Sequence, residues 1–421
     1  MPTELELFLH DRQIGTLTPD KRDKTRVILD VDAHYDPEVL LSESFAALPG
    51  RRPPIDAVSN FLGGYVPEGN HRDRMAAKRH IAKDDLFALL REFGGSVAGA
   101  VTVRHSDETP HRPRYEQLDE AGLAAKLRQA VQDSDQGIPD DSRSTLPGYQ
   151  PKVLCARFDG QWAYPHGRAH STHILKPQVP ARPHRLFDEH YAHLLALRVG
   201  LADYRSEVLH AGPVTYLAIE RFDRAIVDGD VRLTHQEDLA QAMGLDWRDT
   251  DVKFQEPAWP ADPKRATARR IGELLGSIPG GESAVDTWIR QLTFRLAIGD
   301  NDAHAKNVAL LHLREGTRLA PIYDAVPNLF QDGLVVWNTA LAVDGVFDHR
   351  QMSVDHLLAE IASWGVVAGG RANTSVLETL DAMAAALNDV AAPAGVSPGM
   401  VDQLAWNTDR LRRGRQIGSR N

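Results

Sequence analysis

Nine consecutive residues, Gly299-Asp300-Asn301-Asp302-Ala303-His304-Ala305-Lys306-Asn307, carry two carboxylates, two carboxamides, an imidazole and an ammonium, and Asp324 follows seventeen positions after Asn307. Asp302 and Asn307 stand five apart, the Asp-x-x-x-x-Asn spacing by which a phosphoryl-transfer loop sets a base beside a magnesium ligand. Asp324 is then the second metal ligand. Magnesium favours near-octahedral oxygen ligation and takes one or two carboxylates plus substrate phosphates, so Asn307, Asp324 and ATP make a consistent shell. The same residues also suit an Asx-rich turn between a helix and a strand, because Asp and Asn bond their own backbone. The choice rests on whether the chain supplies a phosphate cradle, a strand lysine and a nucleotide hinge.

The loop needs a helix to deliver it. Val285, Trp288, Ile289, Leu292 and Leu296 fall on one stripe of a helix expected over Ser283 to Ile298, with Ser283 and Asp286 suited to capping its start. Upstream, Lys152 to Phe158, the turn Asp159-Gly160, and Gln161 to Tyr164 predict a hairpin, since Asp-Gly supplies the positive φ angles of a tight turn. Thr172 to Lys176 and Val214 to Phe222 read as further strands. Between them lies a helix with Phe187, Tyr191, Leu194, Leu195 and Val199 on one face and Gly200 past its end. The N-terminus reads strand, turn, strand, strand through Val31. Helical pattern begins from about Asn70, including a helix that opens at Lys83-Asp84-Asp85.

On this reading the chain divides into an N-terminal α/β subdomain (1–104), a connector and mobile loop (105–144) with a helix around Leu123 to Val131, a strand-rich nucleotide-binding lobe (145–235), and an all-helical catalytic lobe (236–421). The fold class is α+β, in a two-lobed kinase-like layout. A length of 421 residues suits two or three such lobes. Hydrophobic residues at 42% and charged residues at 25% belong to a soluble globular protein. The net charge of -10 argues against a broad nucleic-acid-binding surface, and the cluster Arg410, Arg412, Arg413 and Arg415 reads as a solvated helix end. A single cysteine, Cys155, excludes an internal disulfide and fits a reducing cytoplasm. With no long apolar run and no signal pattern at the start, the expected location is cytoplasmic, away from any membrane.

The remaining parts appear in kinase order. Gly148, in Thr145 to Lys152, lets backbone N–H groups approach a phosphate, or the segment is a plain loop entering a strand. Lys176 pairs with α/β phosphates, with Glu189 on the next helix to orient it, or is an exposed strand-end lysine. Backbone groups of Glu220 and Phe222 hold an adenine, or the segment is a charged strand end.

These motifs, taken together, resemble the HipA family of bacterial toxin serine/threonine kinases over essentially the whole chain. The resemblance is carried by Phe61-Leu62-Gly63-Gly64-Tyr65-Val66-Pro67-Glu68-Gly69, by Gly148-x-Gln150-x-Lys152, and by Ser171-Thr172-His173-Ile174-Leu175-Lys176. It continues through Glu220-Arg221-Phe222-Asp223-Arg224, His235-Gln236-Glu237-Asp238-Leu239, and the stretch from Gly299 to Asn307. The resemblance implies that Asp302 is the catalytic base and that Asn307 and Asp324 hold magnesium. It further implies that Gly148, Gln150 and Lys152 form the phosphate loop, that Lys176 meets the ATP phosphates, and that Glu220 and Phe222 form the adenine hinge. Gln236, His304 and Tyr323 would complete the pocket.

Members of that family are inactivated by autophosphorylation of a serine three residues before the loop glycine; Thr145 stands there in this chain, with Ser144 beside it. A phosphate adds about -1.5 to -2 charge to a loop that must otherwise approach ATP. The resemblance also implies a HipB-like helix-turn-helix antitoxin as partner, DNA reached only through that partner, and an aminoacyl-tRNA synthetase as protein substrate. Two other readings use the same residues. One is a catalytically inactive kinase fold acting as co-repressor or binding partner; the other is a metal-dependent hydrolase built on Asp300, Asp302 and His304.

Overall fold

The structure is a computed structural model describing residues 3–105, 114–133, 146, 150–331 and 335–420. The chain forms two compact units. The first comprises residues 1–177, 209–250 and 311–315, and the second residues 178–208, 251–310 and 316–421.

In the first unit, the N-terminal strands Leu5–Leu9, Arg12–Pro19 and Val27–Val31 pair antiparallel, as their alternating pattern requires, and Val101–Arg104 adds to Leu5–Leu9. Leu5, Leu7, Leu9, Val27, Leu29 and Val31 all face a core closed by the helices Ile55–Gly63, Gly69–Lys78 and Leu86–Phe93. The last helix opens at the expected acidic turn, where the Asp85 carboxylate accepts from Ala88 N at 3.0 Å. Helical structure starts earlier than the pattern suggests, at Ile55, with Pro54 at the N-cap, where a fixed φ preorganises the first turn.

A six-stranded sheet follows, in the spatial order Arg114–Gln117, Gln161–His166, Val153–Phe158, His173–Pro177, Val214–Glu220, Ser206–Ala211. Asp159 and Gly160 take positive φ of 49° and 82°, the two-residue turn expected between the first central strands. Residues 114–133 belong to this layer. Arg114–Gln117 is an edge strand, and the helix Glu120–Asp133, longer than expected, lays Leu123, Ala124, Leu127 and Ala130 on Val153, Cys155, Leu175 and Ala218.

The second unit is built on the helix Glu282–Ile298, which packs against Ala268–Ser277, Gly369–Asp389 and Met400–Arg412 and buries almost every residue from Ala284 onward. Its start departs from expectation. The N-cap is Gly281, held by its N–H on the Ile278 carbonyl at 2.8 Å, with no side-chain cap, while the Asp286 carboxylate accepts from Ser375 instead. The C-terminal part, expected to be all helical, also carries the short strands Ala309–Leu313, Gly316–Leu319, Asn338–Val343 and Val346–Asp348. Asp344 and Gly345, at φ 51° and 75°, turn the last pair by the same device as Asp159-Gly160.

Candidate functional site

In the second unit the site begins where the long helix stops. Gly299 adopts φ 69°, and a Cβ there would stand 2.3 Å from the Phe330 ring, so only glycine allows this sharp exit. The chain then folds back over the helix end. The Asp300 carboxylate accepts from Asp302 N at 3.1 Å, and the Asp302 carbonyl accepts from His304 N at 2.8 Å and from the Asn307 side-chain amide at 2.9 Å. A single 3-10 turn, Ala305–Asn307, completes the loop. The Tyr323 hydroxyl donates to the Lys306 carbonyl at 2.8 Å and so ties the following strand end to it. Asp324, immediately after, holds φ 51°, a left-handed conformation that Asp tolerates better than most side chains.

Asp302, His304, Asn307, Tyr323 and Asp324 are thereby gathered in one unit. His304 Nε2 stands 4.0 Å from the Asp302 carboxylate and meets the edge of the Phe254 ring at 5.0 Å between centroids. The Asp302 side chain is 50% exposed, open to a reactant. Desolvation, followed by the nearby charges of Asp300 and Asp324, pushes its pKa up to about 7, while Lys253 and Arg185 pull the other way. Burial likewise pushes Asp300 up to about 6 against the ion pair it makes with Arg295.

Asp302 and Asp324, whose charges repel, together with the Asn307 carboxamide offer hard oxygen donors that suit a divalent cation. With its amide nitrogen turned onto Asp302, Asn307 has its oxygen left to present to a ligand. This donor set fits magnesium better than a transition metal. Among the described residues no group of three His, Cys, Asp or Glu side chains gathers as a metal cluster, and the Asp300 carboxylate is already engaged with Arg295. The hydrolase reading therefore finds no third ligand there.

Sequence spacing missed Arg295. It stands one helical turn past Leu292, on the buried stripe, and a charged side chain in that stripe was the available signal. Lys253 and Arg185, whose charges act on Asp302, come from segments that spacing did not connect to the loop.

In the first unit, Leu154, Ile174 and Ile219 stand opposite one another on three neighbouring strands, on the sheet face turned away from Cys155 and Leu175. Two residues along, Lys176 pairs with Leu217, and continuing the register from Val153 and Leu175 sets Lys152 opposite Lys176. An apolar row thus lies about 7 Å from a row with two lysines. Lys152 is buried and Lys176 half-buried. Glu220 ends its strand opposite His173, and Phe222 is half-buried just beyond. Gln150 is half-buried, whereas Gly148, Thr145 and Ser144 lie outside the described residues.

Gln236 has a further commitment. Its side-chain amide donates to Asp223 at 3.0 Å, and its carbonyl accepts from the Tyr65 hydroxyl at 3.0 Å. Asp223 is buried and also takes Arg221, Arg224 and Gly99 N, each at 2.8 Å. Burial works against its charge, but the two guanidinium groups hold its carboxyl well below the usual range. Glu189 lies in the second unit, buried on the helix Arg185–Val199, where its charge acts on Tyr204.

The comparisons with known proteins agree along the chain. Residues 5–104 match the HipA N-terminal domain and residues 144–391 match the HipA-like C-terminal domain. Y4mE of Sinorhizobium fredii, whose name alone marks it as a kinase, is 31% identical over 77% of this chain and 77% of its own. The serine/threonine-protein kinase toxin HipA of Shewanella oneidensis is 26% identical over 86% of this chain and 83% of its own. The solved HipA of Shewanella oneidensis, in complex with HipB and operator DNA, superposes with a TM-score of 0.79 at 20% identity, covering 97% of this chain and 99% of that one. Among the described residues, no helix is long and apolar enough to cross a membrane. On both domain matches and on this identity, the chain belongs to the HipA-like family of serine/threonine kinases.

Proposed function

We propose that this chain is an ATP- and magnesium-dependent serine/threonine protein kinase and the toxin of a pair with a HipB-like antitoxin. The observation that carries the reading is the gathering of Asp302, Asn307 and Asp324 around one loop, with Asp302 lifted towards neutrality by desolvation first and then by the charges of Asp300 and Asp324. Asp302 is the general base: it takes the proton of the attacking hydroxyl as the oxygen approaches the γ-phosphorus. A base with a pKa near the working pH combines availability with driving force. Asn307 and Asp324 would hold magnesium, which when bound neutralises the phosphate oxygens. Tyr323, through Lys306, and His304, beside Asp302, keep the loop in that shape.

In the first unit, the row of Leu154, Ile174 and Ile219 offers a flat apolar floor for the adenine, and Glu220 and Phe222 offer it backbone hydrogen bonds. Lys152 and Lys176 meet the phosphates. Gly148 and Gln150 complete the phosphate loop, and Gln236, held by Asp223, closes the polar side. Thr145, or Ser144 beside it, is the autophosphorylation site that switches the enzyme off.

The protein substrate is an aminoacyl-tRNA synthetase, and DNA is approached only through the antitoxin, consistent with the net charge of -10. The competing reading, an inactive co-repressor, keeps the fold and loses the chemistry. Incubation with γ-labelled ATP, magnesium and lysate separates the two. The kinase reading expects label on a lysate protein and on a 144–145 phosphopeptide, and an absence of all label refutes it.

A further inference from the structure

The guanidinium of Arg295 sits on the last turn of the helix Glu282–Ile298 with 1% exposure. Its Nη1 pairs with the Asp300 carboxylate, and its Nη2 donates to the carbonyls of Asn307 at 2.8 Å and Tyr323 at 2.9 Å. Those two carbonyls belong to one residue assigned to magnesium and to the residue just before the other. Asp300 in turn accepts from Asp302 N at 3.1 Å. One rigid planar cation therefore fixes the two loop segments and the base relative to a single helix end.

We infer that Arg295 is a positioning residue for phosphoryl transfer, setting the spacing of Asn307, Asp324 and Asp302; this rests on the kinase reading of the site. A buried ion pair is commonly no more stabilising than apolar side chains of equal volume, and Leu292 and Leu296 flank Arg295 on the helix. What an apolar side chain or a lysine cannot reproduce is a fixed fork of donors reaching three acceptors at once. Displacing reacting groups by about 1 Å costs on the order of 10²-fold in rate. Loss of the fork therefore acts on metal affinity and kcat before it acts on nucleotide binding.

The test is Mn2+ binding in the presence of a non-hydrolysable ATP analogue, followed by electron paramagnetic resonance on wild type, Arg295→Lys and Thr293→Ala. Each protein is compared where circular dichroism shows it folded. Thr293 is buried on the same helix, and among the described residues its hydroxyl donates within that helix, to the Ile289 carbonyl at 2.8 Å, so its variant reports a general loosening of the helix. Groups that orient metal ligands typically contribute about 10–100-fold to affinity, so Arg295→Lys is expected to weaken Mn2+ by about that factor. It is also expected to lower kcat by about 10²-fold with KM for ATP nearly unchanged. Thr293→Ala is expected to leave Mn2+ affinity as in wild type.

Should Arg295→Lys not fold, Asp300→Asn, which removes one arm of the bracket, takes its place with the same expectation. Unchanged Mn2+ affinity in the folded variant overturns the inference. So does equal weakening in Thr293→Ala, or failure of both Arg295→Lys and Asp300→Asn to fold. If wild type binds Mn2+ and nucleotide but transfers no phosphoryl group, the kinase reading fails while the Mn2+ comparison still decides the role of Arg295.

Discussion

Asn307 donates its side-chain amide to the carbonyl of Asp302 over 2.9 Å, so the residue assigned to the metal and the residue assigned as base close a single turn. Moving one moves the other.

The acid–base state of Asp302 ties stability to pH. Its pKa is raised in the folded protein, from 3.8 to about 7, so the native state binds its proton more tightly than the unfolded state. The stabilisation this provides is complete below the unfolded value and is lost as pH rises through the folded one. Asp302→Asn removes that loss. In metal-free buffer, calorimetry should show the variant melting above wild type at pH 8, with the gap shrinking towards pH 4. A gap independent of pH contradicts the elevated pKa.

Removing a neighbouring carboxylate should move Asp302 in a known direction. Asp324 contributes to the elevation, so Asp324→Asn lowers the pKa of Asp302 and shifts the acid limb of its metal-free titration to lower pH. The same change takes away a metal ligand, and Asn307→Ala takes away the other. Both variants should need more magnesium for half-maximal activity, and Asn307→Ala should leave the charge-driven part of the titration in place. NMR of the Asp302 carboxyl carbon, read beside a magnesium titration, checks both halves.

Gly299→Ala should damage the site through the backbone. The residue holds φ 69°, and an added Cβ meets the Phe330 ring at 2.3 Å. A side chain at positive φ costs about 1 kcal/mol before any clash is counted. The measurable result is a lower Tm together with loss of turnover. Phe330→Ala, by opening space, should recover part of the Tm. No recovery would show that the ring contact is not what the new methyl meets.

Asp223→Ala should destabilise far more than a surface carboxylate change. It leaves Arg221 and Arg224 buried without their acceptor and frees the Gln236 amide, and breaking such buried pairs costs about 3–5 kcal/mol. Urea denaturation measures it. The milder Gln236→Ala should keep most of the stability and weaken nucleotide binding, which separates the clamp from the pocket role proposed for Gln236.

Much of this was legible where a local rule has one physical solution. Asp159-Gly160 announces its hairpin, and Gly200 and Gly299 end their helices at φ 77° and 69°. The Asp302 to Asn307 spacing marks a loop that the structure closes on itself. The hairpin at Asp344-Gly345 obeys the same rule, but its strands of 6 and 3 residues are too short to stand out against the helical periodicity that dominates the C-terminal part. The Arg295 bracket was hidden for a different reason. Two of its three acceptors are main-chain carbonyls, which every residue carries, so no choice of side chain at Asn307 or Tyr323 advertises them. The tie from Gln236 to Asp223 crosses from one strand to a turn thirteen residues earlier, a distance that neither helical nor strand periodicity reports.

The most direct measurement compares wild type with Asp302→Ala in transfer of the γ-phosphoryl group from labelled ATP to lysate protein, with magnesium present and both proteins shown to be folded. General-base loss costs about 10²–10⁴-fold, so the account predicts clear transfer by wild type and almost none by the variant, with ATP still bound. Equal transfer by the two would contradict the role of Asp302. No transfer by a folded, nucleotide-binding wild type would contradict the kinase assignment itself.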